Sequence, residues 1–554
     1  MAMLALAPGC GDNDDVVDTS KTTGDSSSGG IAETDSASST PSSGPTNDEP
    51  TTPETSGEPT ITGNTSAGGD TSSGDFTSAG VDTSSSSGDT SAGGDTSSDS
   101  SSSETGEPVE NCYDGDVMAD FPGAFDVLEG FNCIDGQLIV APGFGGDLTP
   151  LSEIRTIKWN VRFKAHAEVF DLHGLEQLRT VGGGFEIETA PELVDVSALA
   201  GLRSIGWFFE MDAPKVVALD LGSLEQVMGI EIGQGLLSQL DLGALTTVPG
   251  RVSLTSTALA SLDGMATLTS VGGLVLDKNA ALADISGLAG LEHVNDLRIL
   301  WTPKLTSLAP LAGVAIDGWL EIANNDALVE LAPLQGPSVG TLRVTYNKEL
   351  TSLAGLGGFS LADEVEIRGN DLLVDLKGLD GLTEAKETLE VRDNAGLVKL
   401  DGLTALTAAG DVTIEQNAKL ASLAGLSALT TASHVSIANN AALKDLAGLS
   451  ALTTAEHLGL QNNDLMTTLA GLEGLESLTT LYIVDNPKLA SVTALGQSLA
   501  TVEVSFAITG NPALATCQAV TLHASMMPPP QFACLLNKMD ACVADAFCNI
   551  PPDP

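Results

Sequence analysis

The amino-acid sequence predicts an all-β protein, a right-handed parallel β-helix that forms a solenoid of about 17 coils of ~23 residues each. Three observations carry this prediction. An Asn recurs every 22 to 25 residues through the second half of the chain. Apolar residues alternate before each Asn and recur at every third position after it. Apart from Cys10, the cysteines lie only at the two ends of the repeated region.

The regular unit reads L-x-I-x-x-N-x-x-L-x-x-L-x-G-L-x-x-L and can be followed over residues 138–516. The Leu-x-Ile pair predicts a short, half-buried strand, and the spacing of three after the Asn fits a chain that turns corners around an interior. One coil cannot bury its own leucines, whereas stacked coils can. With Thr302 filling the one gap, the repeated residues are Asn279, Asn325, Asn347, Asn370, Asn394, Asn417, Asn440, Asn463, Asn486 and Asn511.

The repeated Asn is predicted to have a structural role. Buried main-chain groups need hydrogen-bond partners, and an Asn side chain offers both donors and an acceptor. We therefore expect an Asn ladder inside the turn, joining each coil to its neighbour. A catalytic function is the alternative, and the regularity of the column disfavours it.

Two units in particular, Leu481-Tyr-Ile483-Val-Asp-Asn486-Pro-Lys-Leu489 and Val435-Ser-Ile437-Ala-Asn-Asn440-Ala-Ala-Leu443, resemble receptor L-domain repeats. These repeats are relatives of leucine-rich repeats, and the chain is also similar to internalin-type leucine-rich repeats, except that the next Leu stands three positions after the Asn. The resemblance implies a leucine-rich-repeat-like scaffold for binding. It implies no particular ligand, because such proteins share a scaffold rather than one chemistry.

The N-terminus, residues 1–10, resembles the end of a bacterial lipoprotein signal in which Cys10 is lipidated. Its apolar stretch is short and no basic residue precedes it; an ordinary N-terminus with a chance Cys is the alternative. Residues 11–110 contain 58 Ser, Thr or Gly among 100 positions, too little apolar surface to form a core. We predict a disordered tether there. The resemblance, with Gly11 after the Cys, implies a lipid-anchored protein at the outer membrane or cell surface.

Six further cysteines predict two disulfide-stapled caps, residues 111–137 and 517–554. Proximity in sequence favours three bonds, and other pairings remain open. A zinc site at the last four cysteines is the alternative, which the absence of any C-x-x-C pair disfavours. The favoured bonds are Cys112–Cys133, Cys517–Cys534 and Cys542–Cys548.

The net charge of −51 excludes whole classes of function. So acidic a surface repels phosphate backbones and anionic lipid headgroups, which argues against nucleic-acid binding and electrostatic membrane docking. No apolar run is long enough for a transmembrane helix. We expect a monomer that has no cofactor and no metal.

A candidate binding surface lies on successive coils in the middle of the repeat. The exposed strand position four before the Asn is expected to form a ladder of alternating charge, and the same coils carry aromatic residues. Arg and aromatic side chains are enriched at binding hot spots. The alternative is that the charges only form cross-strand salt bridges and the rings cover a corner. The candidate residues are Arg298, Trp301, Trp319, Glu321, Arg343 and Tyr346.

The sequence contains no catalytic motif in a suitable context, so we predict that the protein is not an enzyme. His434 and His457 occupy equivalent points of adjacent coils, but no third metal ligand is evident. The favoured function is a cell-surface lipoprotein that presents a rigid repeat scaffold for recognition of protein or glycan, or for adhesion. The alternatives are a polysaccharide-active β-helix enzyme, which needs a groove with converging carboxylates, and a structural spacer of the cell envelope.

Overall fold

The computed structural model describes residues 109–165, 167–526 and 531–540, which all fall within the compact unit Ser103–Pro554. They form a parallel β-solenoid of about 18 turns, which confirms the predicted fold class. Each coil gives one strand to a main sheet. In the described ranges these strands are Val117–Ala119, Leu138–Val140, Val161–Phe163, Phe185–Ile187, Phe208–Asp212, Gly229–Gly233, Thr247–Thr255, Ser270–Asp277, His293–Leu300, Trp319–Ala323, Ser338–Thr345, Leu361–Arg368, Glu384–Arg392, Ala408–Glu415, His434–Ala438, His457–Gln461, Ser477–Val484, Thr501–Thr509 and Gln531–Ala533.

Smaller elements complete the coils. A short strand, Ala315–Ile316, pairs beside the main sheet with His293 and Val294. A second sheet comprises Cys112–Tyr113, Cys133–Ile134, Thr156–Ile157, Thr180–Val181 and Ser204–Ile205, and a two-stranded sheet comprises Ala218–Asp220 and Gln239–Asp241. Single 3-10 turns occur at Asp126–Leu128, Thr149–Leu151, Ser197–Gly201, Asp263–Met265, Ser286–Leu288, Ala309–Leu311, Ala424–Leu426, Ala447–Leu449 and Leu495–Gln497, and an α-helix spans Thr516–Ala524.

The register between coils places equivalent residues side by side. Leu320 pairs with Leu342 and Glu321 pairs with Arg343 in adjacent parallel strands. Because side chains alternate along a strand, every coil sends the same positions inward and outward. The inward column is fully buried at both of these leucines. Equivalent positions of successive regular coils are therefore buried or exposed in the same way.

The core is made of leucine in the regular coils and of larger rings near the N-terminal end. Phe163, Phe185 and Phe209 are fully buried and stack at centroid separations of 6.1 and 5.7 Å. Burying a side chain of this kind stabilises the fold by roughly 1.5–3 kcal/mol. The recurring Gly of the Gly-Leu corner has a steric cause: at Gly448 a Cβ would collide with the carbonyl group of Leu423, one coil earlier.

The main sheet continues by one strand into each segment that the sequence assigned to a cap. Val117–Ala119 pairs with Leu138–Val140, and Gln531–Ala533 pairs with residues 505–507. At the first end the disulfide Cys112–Cys133 joins register partners of adjacent coils, which confirms that predicted bond. The terminal strands thus lie on the exposed ends of the apolar core, where a solenoid needs covering.

Several predictions concern residues beyond those described. Cys517 and Cys534 are both disulfide-bonded, but Cys542 and Cys548 lie outside the described residues, so the pairing among these four stays a prediction. Cys10, the lipid anchor and the tether up to residue 108 lie outside them as well. Across the described ranges, no helix has the length and apolar character that crossing a membrane requires.

Candidate binding surface

The Asn column forms a continuous hydrogen-bond ladder between coils. Asn417 is fully buried, and its Nδ2 donates to the carbonyl oxygens of Val391 (2.8 Å) and Glu415 (3.0 Å). Its Oδ1 accepts the backbone N–H of Asn394 at 3.1 Å, and its own N–H donates to Oδ1 of Asn440 at 3.1 Å. The Asn417 side chain thereby satisfies main-chain groups in its own coil and in the preceding coil, and the amide of Asn440 in the next coil satisfies the N–H of Asn417.

The ladder is longer than the sequence indicated. It begins at Thr257, whose N–H and hydroxyl both donate to Oδ1 of Asn279, at 2.9 and 2.7 Å. Thr302 makes the same two bonds to Asn325. At the other end Asn511 donates its N–H to Oδ1 of Asn537 at 3.1 Å. Asn537 was missed because it lies among the C-terminal cysteines, although its step from Asn511 is close to the repeat length.

The residue immediately before each ladder position has a left-handed backbone conformation. Small or polar residues occupy most of these positions, including Gly369 and Asp393. Trp301, Tyr346 and Leu536 are the exceptions, with φ of 52°, 55° and 62°. A bulky residue in this region is a genuine outlier, at a cost of about 1–2 kcal/mol. The fold holds two aromatic residues in a conformation that they disfavour.

These two residues, here called the aromatic corner, project their rings toward solvent. Trp301 is 53% exposed and Tyr346 is 41% exposed. The Tyr346 ring lies over Gly369, where any side chain would collide with it. The guanidinium of Arg368 sits 5.3 Å from the centre of the same ring. Tyr346 is therefore held in place from two sides while its outer surface stays open.

The other candidate residues form a separate cluster on the strands, here called the Arg–Trp stack. Trp319 lies between the guanidinium groups of Arg298 and Arg343, at 5.1 and 5.3 Å from its ring centre. Arg298 pairs with Glu321 at 2.7 Å, and Arg343 pairs with Glu366 at 3.0 Å. Trp319 is half-buried by this arrangement, so it is not the exposed ring that the sequence suggested.

The six candidate residues thus divide into two groups. Arg298, Trp319, Glu321 and Arg343 interlock through cation–π contacts and ion pairs, and their side chains are largely occupied by one another. The aromatic corner belongs to a different column, at the turn that follows the strands. Its rings, rather than the charges, are available to a partner.

Beyond the Arg–Trp stack the outward column becomes acidic. Partial burial raises the pKa of Glu366, and the neighbouring Glu390 raises it further. Arg343, Arg368 and Arg392 act in the opposite direction. The central part of the sheet is therefore a network of partly neutralised charges.

The N-terminal coils carry an acidic cavity that the sequence analysis missed. Its volume is about 480 Å³, and five carboxylates line it: Glu186, Glu188, Glu210, Asp212 and Glu231. Burial raises the pKa of Glu210, with further contributions from Glu231 and Glu186. The outward residues Glu186, Glu210 and Glu231 pair in register on successive coils. Extending the repeat from the regular coils back to these positions could have revealed this acidic column in the sequence.

The two histidines stack on one another. The rings of His434 and His457 are 4.4 Å apart and nearly parallel. His434 Nδ1 lies 2.5 Å from Asp411 Oδ1, and His457 Nδ1 lies 2.6 Å from Thr480 Oγ1. No third ligand joins them in a metal-binding group within the described residues.

One group of potential metal ligands does lie close together in the described part of the chain. It consists of Glu110, Cys112 and Cys133. The disulfide between the two cysteines removes the thiolates that a metal would need. This group therefore offers no metal centre.

No protein-family model and no curated protein matches the chain. Among solved structures it is similar to TLR13 in its complex with ssRNA13, at 15% identity and a TM-score of 0.37, over 74% of this chain and 62% of that one. It is also similar to the leucine-rich-repeat ectodomain of the Arabidopsis thaliana receptor kinase GASSHO1/SCHENGEN3 in complex with CASPARIAN STRIP INTEGRITY FACTOR 2. That match has 13% identity and a TM-score of 0.24, over 77% and 63% of the two chains. The chain spans just under two thirds of the length of either structure.

Proposed function

We propose that this protein is a non-enzymatic recognition protein whose rigid solenoid presents a binding surface to a protein or a glycan. The observation that carries the proposal is the aromatic corner. Trp301 and Tyr346 are exposed, two coils apart, and held in a left-handed conformation that aromatic residues disfavour. Strain of this kind clusters at functional sites. Exposed aromatic side chains supply much of the energy of binding hot spots.

We further propose that the solenoid is displayed at the cell surface as a lipoprotein of receptor L-domain type. Cys10 would carry the lipid, and residues 11–110 would act as the tether. The disulfide Cys112–Cys133 supports an oxidising compartment, because such bonds persist outside the cytosol. For the outer membrane in particular, the support is the lipoprotein resemblance with Gly11 after the Cys.

The binding role is tested with full-length protein made in an oxidising compartment. The protein is immobilised and exposed to a glycan array and to isolated cell-surface proteins. The double variant Trp301→Ala/Tyr346→Ala should lose the partner that the wild type retains, with little change in thermal stability. Tyr482→Ala is the matched control, because Tyr482 is 44% exposed on another coil. Equal partner retention by the double variant would remove the aromatic corner as the recognition surface.

The location is tested separately with a fatty-acid probe in cells that express the gene from its native start. The wild type should be labelled and should sediment with membranes. Cys10→Ser should be unlabelled and released. Membrane association that survives this substitution would refute the lipid anchor and would leave the binding role standing.

A polysaccharide-active enzyme is the second candidate function, and the acidic cavity is the observation that favours it. Such an enzyme needs converging carboxylates, and Glu186, Glu210 and Glu231 line one cavity. The raised pKa of Glu210 is the direction expected of a general acid. Release of reducing ends from a polysaccharide panel, abolished by Glu210→Gln, would establish this function. Absence of any release from the panel would dismiss it.

A further inference from the structure

Two exposed tryptophans, which the sequence analysis did not single out, flank a glycine in the N-terminal coils. Trp159 is 63% exposed and Trp207 is 64% exposed. They occupy equivalent points of alternate coils, because Gly183 donates its N–H to the Trp159 carbonyl at 3.0 Å and accepts the Trp207 N–H at 3.1 Å. Two strand spacings put their backbones roughly 10 Å apart. A Cβ on Gly183 would stand 2.3 Å from Asn160 Oδ1, so the Asn160 side chain occupies the space over Gly183, between the two tryptophan positions.

Polar groups border this gap on the strand side. The N–H of Gly184 donates to Oδ1 of Asn160 at 2.8 Å. A Cβ on Gly184 would stand 3.3 Å from the Phe208 carbonyl oxygen, 3.5 Å from Glu186 Oε1 and 3.7 Å from Asn160 Oδ1, so both side chains lie beside this glycine. The amide NH2 of Asn160 makes no hydrogen bond to any described residue. A donor and an acceptor therefore stand beside Gly183 and Gly184, in the coil between the two tryptophans.

The charges around the gap are paired. Arg162 forms a 3.0 Å ion pair with Glu186, and Lys158 lies 3.5 Å from Asp135. These two pairs carry no net charge, although Glu186 also borders the acidic cavity described above. A basic peptide would find the carboxylate of Glu186 already paired, and an anionic polymer would be repelled by the chain as a whole.

Exposed apolar rings near an amide and a carboxylate that is already ion-paired suit a particular ligand. A neutral sugar presents an apolar C–H face that packs on an aromatic ring, and its hydroxyl groups both donate and accept hydrogen bonds. An extended polysaccharide turns alternate residues to the same side, which matches rings on alternate coils. A second copy of the chain fits less well, since two surfaces of such negative charge repel one another.

We propose that Trp159 and Trp207 form a stacking platform for an extended neutral polysaccharide, with Asn160 and Glu186 hydrogen-bonding its hydroxyl groups. This site shares no residue with the aromatic corner or with the Arg–Trp stack, but Glu186 also lines the acidic cavity. The proposal rests on the recognition function proposed above and names a ligand class at a second surface. It can fail while the aromatic corner still binds its partner.

The test uses the full-length protein and three defined probes: cellohexaose, chitohexaose and maltohexaose. Titration calorimetry measures affinity, and tryptophan fluorescence reports on the rings themselves. At least one probe should bind the wild type. Trp159→Ala and Trp207→Ala should each weaken its binding at least about tenfold, the scale expected for truncating an aromatic anchor. Trp159→Phe should retain most of the affinity because it keeps an aromatic face.

Tyr482→Ala is the matched control, since it removes an exposed aromatic side chain on a distant coil and should leave affinity for the probe unchanged. Thermal melts of all variants should coincide within a few degrees, because exposed substitutions usually change stability by less than about 0.5 kcal/mol. The proposal is overturned if none of the three probes binds, or if binding survives both Trp→Ala substitutions. Self-association or capture of a basic peptide that depends on Trp159 would assign this surface to a protein partner instead.

Discussion

The side-chain oxygen of Asn417 accepts the backbone N–H of Asn394, one coil earlier, at 3.1 Å. The same side chain donates to Val391 and Glu415 through its nitrogen. Three main-chain groups thus depend on one amide. Loss of one ladder amide should therefore lower the stability of the solenoid directly.

Asn417→Ala should lower the free energy of unfolding by roughly 1–3 kcal/mol, because it leaves buried main-chain groups without partners. Chemical denaturation followed by circular dichroism measures the change. Lys419→Ala, an exposed substitution in the same coil, is the control and should be close to neutral. A wild-type unfolding curve for Asn417→Ala would mean that water replaces the amide at no cost.

Trp301→Asn should stabilise the protein by roughly 1 kcal/mol, since Asn tolerates the left-handed conformation that Trp resists. The reverse change in the adjacent coil, Asn324→Trp, should destabilise it, because φ there is 59°. Thermal unfolding of the pair provides the measurement. If Trp301→Asn gains stability and loses partner binding, the strain is retained for function. A loss of stability would show instead that the Trp301 ring supports the fold.

Removing the Cys112–Cys133 disulfide should destabilise the N-terminal end first. The cysteines are 21 residues apart, and a loop of this size is expected to contribute about 3 kcal/mol. In Cys112→Ser/Cys133→Ser, hydrogen exchange should accelerate in the first coils and stay unchanged around residue 417. Uniform acceleration along the whole chain would show that the coils unfold as one unit rather than from the end.

Glu210→Gln should stabilise the protein at neutral pH but not in acid. The folded state raises the pKa of Glu210 above its ordinary 4.5, so the ionised carboxylate is disfavoured by folding. The penalty is absent below 4.5 and develops as the pH rises through the raised value. Melting temperatures across this range should therefore diverge between wild type and variant as pH increases. The exposed Glu225→Gln serves as the control, and a constant offset at all pH values would contradict the assignment.

The fold could be predicted from the sequence because every coil needs the same residue types at the same positions. Leu320 and Leu342 must be apolar to fill the interior, and Asn417 must offer both donor and acceptor. Thr257 also belongs to the ladder, and its hydroxyl explains why a residue other than Asn is accepted there. The 23-residue repeat can be recognised in the sequence wherever only one residue type meets such a requirement.

The surface was harder to predict, because outward positions do not have to be apolar or to bond main-chain groups, and so many residue types are accepted there. The placement of Trp319 between two arginines depends on side-chain reach rather than on spacing. The left-handed conformation of Trp301 runs against the preference of the residue. Trp207 lies in a coil where Ala213 stands at the position of the ladder Asn, and Ala190 stands there in the coil between the two tryptophans, so the repeat is hard to recognise in the sequence of this region. Their 24-residue steps through Gly183 were the available signal.

The constant register also has an evolutionary consequence. Residues 417 and 440 have the same surroundings, so an in-frame loss or gain of the 23 residues between them rejoins strand to strand and amide to amide. Recombination between such similar gene segments would change the number of coils without disturbing those that remain. The reach of the molecule can thus be adjusted in increments of about 4.8 Å, one coil at a time.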